Sequence, residues 1–73
     1  MLDTDRILRL PEFCRTLGIS RSATYDRLDP ESPRFDSTFP RPIKLGERAI
    51  GFSQKETMAW LAARIAERDG LQS

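Results

Sequence analysis

Apolar residues fall at Leu10, Phe13, Cys14 and Leu17, the i, i+3, i+4, i+7 spacing of a single helical stripe. Pro11 suits the first turn of that helix, where its missing N–H has no partner to lose. Gly18 follows the last apolar position, where a left-handed residue ends helices well. The pattern predicts a helix from about Leu10 to Leu17, with Ile7 and Leu8 packed beneath it. Ser20 is an N-cap candidate for a second helix that ends near Leu28, because Asp29 precedes Pro30. About three residues, Gly18-Ile19-Ser20, separate the two helices, which is helix-turn-helix spacing.

Residues 29–38, D-P-E-S-P-R-F-D-S-T, read as a loop, with Phe35 expected against the body of the domain. From Phe39 to Phe52 the pattern changes to period two, with Ile43 and Leu45 before a G-E-R-A tip and Ile50 and Phe52 after it. Pro40 and Pro42 confine the first strand to a short edge position, so this stretch predicts a small β-hairpin, a wing. Ser53-Gln54-Lys55-Glu56 has the S-x-x-E form of a capping box. Met58, Leu61, Ala62 and Ile65 then form an apolar stripe, Trp60 is placed over the hairpin, and Gly70 marks the end. The fold class expected is mainly α with a small β-hairpin: a winged helix-turn-helix, three helices plus wing. One domain is expected over residues 1–73, with the helix-turn-helix at about 10–28, the loop at 29–38, the wing at 39–52 and the C-terminal helix at 53–69.

Length makes this a chain with a thin core, since a domain of 73 residues buries only about 60% of its unfolded surface. One cysteine and no histidine remove an intrachain disulfide and a Cys/His zinc site. Apolar runs are too short to span a membrane, and the M-L-D-T-D start has acids where a signal peptide carries bases. Together with the lone cysteine this points to the cytoplasm. Net charge is only +1, and the surplus falls in residues 31–52, where Arg34, Arg41, Lys44 and Arg48 face Glu31, Asp36 and Glu47.

The second helix is short and polar, which suits a helix with one face on its neighbour and the other on a ligand rich in hydrogen-bond acceptors. A helix entering the major groove of duplex DNA needs short donors and acceptors near its N-terminus. Ser20, Arg21, Ser22 and Tyr25 supply them, and Arg27 lies on the same segment. Arginine reads guanine through paired bonds, while serine and tyrosine hydroxyls meet phosphates. Arg41, Lys44 and Arg48 lie on or beside the hairpin and would meet the phosphate backbone. The plainer readings are a simple N-cap for Ser20, a core aromatic for Tyr25, solvated charges for the arginines and edge-strand protection for the hairpin cations. Cys14 reads as a buried small hydrophobe, Met58 and Trp60 as packing residues, and Asp26, Asp29, Glu31 and Asp36 as loop and cap residues.

The segments R-I-L-R-L-P-E-F, L-G-I-S-R-S-A-T-Y, T-F-P-R-P-I-K-L-G-E-R-A-I-G-F and E-T-M-A-W-L resemble the AlpA family of small phage and prophage transcriptional regulators. The resemblance covers roughly Arg6 to Leu61, and its most specific part is F-P-x-P-x-x-L-G followed by R-A-x-G-F. It implies a fold close to excisionases and MerR-type DNA-binding domains, with the second helix in the major groove and the hairpin on the backbone. Thr24 departs from the aliphatic residue many relatives carry there, and the loop 29–38 is longer than the family's minimal connection.

The function expected is sequence-specific binding of double-stranded DNA by a transcriptional regulator of phage or prophage type. It involves no catalysis, cofactor, metal, small-molecule ligand or membrane. A single small module with little net charge binds weakly, so a homodimer or tandem copies on DNA are expected. Two alternatives stay open: an excisionase-like recombination directionality factor, and a protein-binding winged-helix adaptor.

Overall fold

The computed structural model describes residues 4–72. In chain order they form β1 (Ile7–Arg9), α1 (Leu10–Leu17), α2 (Arg21–Leu28), β2 (Ile43–Lys44), β3 (Ile50–Ser53) and α3 (Gln54–Gln72). The two predicted helices of the helix-turn-helix appear with the expected bounds. Gly18 sits at φ 70°, in the left-handed region, and its N–H donates to the Cys14 carbonyl at 2.8 Å. Ser20 caps α2 by accepting the Ala23 N–H at 3.0 Å.

The wing belongs to a three-stranded antiparallel sheet of order β1-β3-β2, a winged helix-turn-helix arrangement. Ile43 faces Gly51 and Lys44 faces Ile50, and the Leu45 N–H closes the tip on the Ala49 carbonyl at 2.8 Å. β1 pairs with the other edge of β3, Leu8 opposite Phe52. A Cβ on Gly51 would overlap the Ile7 γ-methyl and lie 3.1 Å from Leu45 Cδ1, so the central strand needs a glycine between its two neighbours. Ile7 and Leu8 were expected beneath α1. Leu8 is buried there, but Ile7 is exposed, because a three-residue strand sends alternate side chains to opposite sides.

Leu8, Phe13, Phe39 and Phe52 form the core. Phe13 of α1 stacks on Phe52 of β3 with ring centroids 3.8 Å apart, and meets Phe39 edge-on at 5.6 Å. Phe39 in turn meets Trp60 of α3 edge-on at 5.1 Å, so four aromatic rings tie α1, β3 and α3 together. Phe35, expected against the body, is exposed, and Phe39 fills that role. The loop arranges this through a series of side-chain turns: Asp29 accepts the Glu31 N–H, Ser32 the Arg34 N–H, and Asp36 the Thr38 N–H at 2.8 Å. The Asp36 N–H is itself held by the Arg27 carbonyl at 3.0 Å, which turns Phe39 inwards three residues later. The Thr38 hydroxyl donates to the same carboxylate and holds the Asp36 pKa below its ordinary value. Asp29 and Asp36 are thus turn-formers.

The wing is less buried than its period-two pattern predicts, with Ile43 and Leu45 both exposed. β2 is an edge strand of two residues, both exposed. On α3 the buried positions are Thr57 and, partly, Trp60, Leu61 and Arg64, not Met58, Ala62 and Ile65, which are exposed. The inward face is therefore rotated from the apolar stripe, since Trp60 is drawn to Phe39 and the Thr57 hydroxyl bonds the Ser53 carbonyl at 2.7 Å. Gly70 does not end α3, which continues to Gln72.

The capping box holds in part and gains a partner from outside the helix. Ser53 Oγ accepts the Glu56 N–H at 3.1 Å, while its own proton goes to the Asp5 carboxylate. Asp5 also accepts the Lys55 N–H at 3.1 Å, and the Arg6 carbonyl takes the Gln54 N–H. The Ser53 hydroxyl first, and the Lys55 amide second, hold the Asp5 pKa below its ordinary value. A carboxylate whose pKa is depressed on folding stabilises the fold above its unfolded pKa, near about 3.9, and loses that contribution as pH falls through the folded value. The urea midpoint is therefore expected to drop on acidification below about pH 4, and Asp5→Asn to flatten part of that drop. An unaltered acid limb in the variant would remove Asp5 from the account.

Candidate nucleic-acid interface

The sequence placed eight residues at a binding surface, and the structure sorts them into four groups. Ser20, Arg21, Ser22 and Tyr25 are all exposed at the start of α2 and along it. Arg21 and Tyr25 are four residues apart and Ser22 and Tyr25 three, so they share one flank of the helix. Tyr25, for which a core position was the plainer reading, is 51% exposed. No acidic residue stands in the first turn of α2, whose free N–H groups and arginine leave that end positive. The opposite flank is held by Thr24, which is fully buried. Its hydroxyl donates to the Ser20 carbonyl at 3.0 Å and lies 3.4 Å from Cys14 Sγ of α1. Thr24 thus locks α2 on α1 and sets which flank faces outwards. Cys14, as expected, is a buried packing residue.

Arg27 is not part of that outward flank. It is half-buried, and its guanidinium stands 5.9 Å from the centre of the Phe39 ring, on the side of α2 that faces the loop. The reason is helical: Arg27 lies three residues from buried Thr24 and shares its side.

Lys44 and Arg48 are exposed on the hairpin, one on β2 and one in the tip. Arg41 precedes the strand and lines a groove of about 600 Å³ between residues 37–41 and α3, beside Trp60, Arg64, Glu56 and Glu67. The three hairpin cations therefore do not form one cluster: two belong to the wing and one to the α3 side.

Ion pairing separates the cations further. Arg6 pairs with Glu12 at 2.8 Å, Arg34 lies 3.7 Å from Asp26, and Arg64 and Arg68 pair with Glu67 and Asp69 on α3. Arg9 donates to the Ile50 carbonyl. Among the described residues, Arg15, Arg21, Arg41, Lys44 and Arg48 form no ion pair, side-chain hydrogen bond or ring contact. Four of these five were singled out from the sequence. Arg15 was not; it is exposed in the last turn of α1, and its only sequence signal is its place on the polar side of the helix-turn-helix.

Comparison with known proteins bears on this surface. The family model described as prophage CP4-57 regulatory protein (AlpA) matches residues 6–65. The chain belongs to the AlpA family. It is 44% identical over 59 residues to the DNA-binding transcriptional activator AlpA of Escherichia coli (strain K12), covering 81% of this chain and 84% of that one. It is also 34% identical over 64 residues to the uncharacterized protein ORF88 of Enterobacteria phage P4, covering 88% of this chain and 66% of that protein. No solved structure matches the chain. The matched span includes every residue of the exposed α2 flank and the hairpin. Among the described residues, no helix is long and apolar enough to cross a membrane.

Proposed function

We propose that this AlpA-family chain binds double-stranded DNA in a sequence-specific way and regulates transcription of phage or prophage genes in the cytoplasm. The observation that carries the reading is the exposed flank of α2, where Arg21, Ser22 and Tyr25 stand clear of the domain while Thr24 anchors the other side. The relative from Escherichia coli is described as a DNA-binding transcriptional activator, which supports the same chemistry here. In this reading the chain acts as one DNA-binding domain. α2 enters the major groove, with Arg21 on base edges and Ser20, Ser22 and Tyr25 on bases or phosphates. Ser20 also keeps its capping bond, so only its remaining hydrogen-bonding capacity serves DNA. Lys44 and Arg48 hold the adjacent backbone, Arg41 is an outlying contact, and Arg15 meets a phosphate where α1 crosses the backbone.

No catalysis is involved. Cys14 is buried, and the chain has no histidine to activate it. No cofactor, metal or small-molecule ligand is required. A module of this size covers only about 600–1,000 Å² on DNA, so a dimer or tandem copies supply the affinity of a working regulator.

The test is binding to duplexes selected from a random pool, followed across salt concentrations. With about five phosphates neutralised, the slope of log affinity against log salt is expected near −4 to −5. Failure to bind any duplex at low salt would overturn the proposal and favour an adaptor that holds a protein partner.

A further inference from the structure

The outer face of α3 carries an apolar stripe that its own domain leaves uncovered. Lys55, Met58, Ala62, Ile65 and Asp69 recur at alternating steps of three and four, the spacing of a helix that lies along another helix. Met58 is 41% exposed and Ile65 43%, and Ala62 is exposed between them. At about 100° per residue, the stripe is centred roughly 135° away from the side formed by Thr57, Trp60 and Arg64 that packs inwards. α3 continues beyond Arg64 to Gln72. The radius of gyration, 13.4 Å, exceeds the value of about 11 Å for a compact chain of this length, as a projecting helix requires.

We propose that this face pairs α3 with the same helix of a second copy, in antiparallel orientation, with Ala62 on the two-fold axis. Charge decides the direction. Lys55 and Asp69 stand at equal distances either side of Ala62. A parallel pair would set lysine against lysine and aspartate against aspartate. An antiparallel pair sets Lys55 against Asp69 at both ends. Met58 and Ile65 then interleave across the axis, and the small side chains of Ala59, Ala62 and Ala66 let the helices approach closely. Such a contact is self-complementary and closes at two copies. Lys55 also lies near the Asp5 carboxylate and Asp69 near Arg68, so the cross-pairs add direction more than strength.

The stripe spans only about 21 Å of helix, with two large apolar side chains per copy, and falls short of the ~1,200 Å² of a stable interface. The pair is therefore weak in solution and is strengthened when two copies share one duplex, through their high effective concentration. That last consequence rests on the DNA-binding reading; the helix pairing itself does not.

Lys55→Cys and Asp69→Cys variants, mixed in equal amounts and mildly oxidised, test the pairing without DNA. Mixed cross-links are expected in clear excess over the statistical share, and Ile65→Glu, introduced into both, is expected to return the mixture to that share with helix content unchanged. A statistical mixture without Ile65→Glu, or an excess of self-cross-links, overturns the proposal whatever the chain does on DNA. On a duplex with two selected sites, Met58→Glu is expected to reduce cooperative binding by about tenfold or more while single-site affinity stays unchanged. Cooperativity undiminished by Met58→Glu would also overturn it. If the protein binds no duplex, cross-linking still decides the helix pair, and only the DNA reading falls.

Discussion

Phe13→Ala is expected to cost about 3–5 kcal/mol and to lower the urea midpoint sharply. Phe13 is fully buried and is the ring on which the other layers converge, stacked on Phe52 and edge-on to Phe39. A chain of 73 residues has a total stability of only about 4–11 kcal/mol, so losing one such ring removes a large share of it. The core has little capacity to collapse around the cavity, because among the described residues Leu8, Phe13, Phe39 and Phe52 alone make up its centre. Phe35→Ala supplies the contrast: its ring is exposed, and its removal is expected to shift stability by no more than about 0.5 kcal/mol. Urea denaturation followed by circular dichroism measures both. Similar losses in the two variants would contradict the aromatic arrangement.

Arg21→Ala is expected to weaken binding to the best selected duplex by about 1–3 kcal/mol and to relax preference at one or two base positions. Arg48→Ala is expected to act differently, lowering affinity for all duplexes alike and reducing the salt slope by about one. The contrast follows from position. Arg21 sits in the first turn of the helix proposed to enter the groove, beside the exposed hydroxyl of Ser22. Arg48 sits in a five-residue hairpin tip closed by the Leu45–Ala49 bond, where a side chain reaches backbone more readily than base edges. Both arginines are exposed and free of ion pairs, so the variants are expected to fold as the parent does. Selection profiles and titrations at two or more salt concentrations separate the effects. Equal binding by the parent and both variants would refute the proposed interface.

Local chemistry alone was enough to read the helix-turn-helix from the sequence. Gly18 needs a left-handed backbone, Ser20 caps its own helix, and Asp29-Pro30 ends it, each within one turn of chain. The hairpin was legible for the same reason, from period-two spacing around G-E-R-A. Outward exposure of Arg21 and Ser22 followed from a helix too polar to be buried all round, while that of Tyr25 was decided by the fold. What tertiary structure decided were matters of choice between chemically similar residues far apart in the chain. β1 exists only because β3 offers an edge to three residues, too few to carry a pattern of their own. Phe39 rather than Phe35 entered the core because the Asp36 turn, held by Arg27, aims one ring inwards and leaves the other in solvent. Arg27, on the Thr24 side of α2, stands over the inward-turned Phe39 ring and not on the binding flank. The phase of α3 was set by Trp60 finding Phe39, which turned Met58 and Ile65 to the outside although their spacing marks a helix face made for packing. Spacing along a chain reports that a face is apolar; only the placement of the other layers determines whether its own domain covers it.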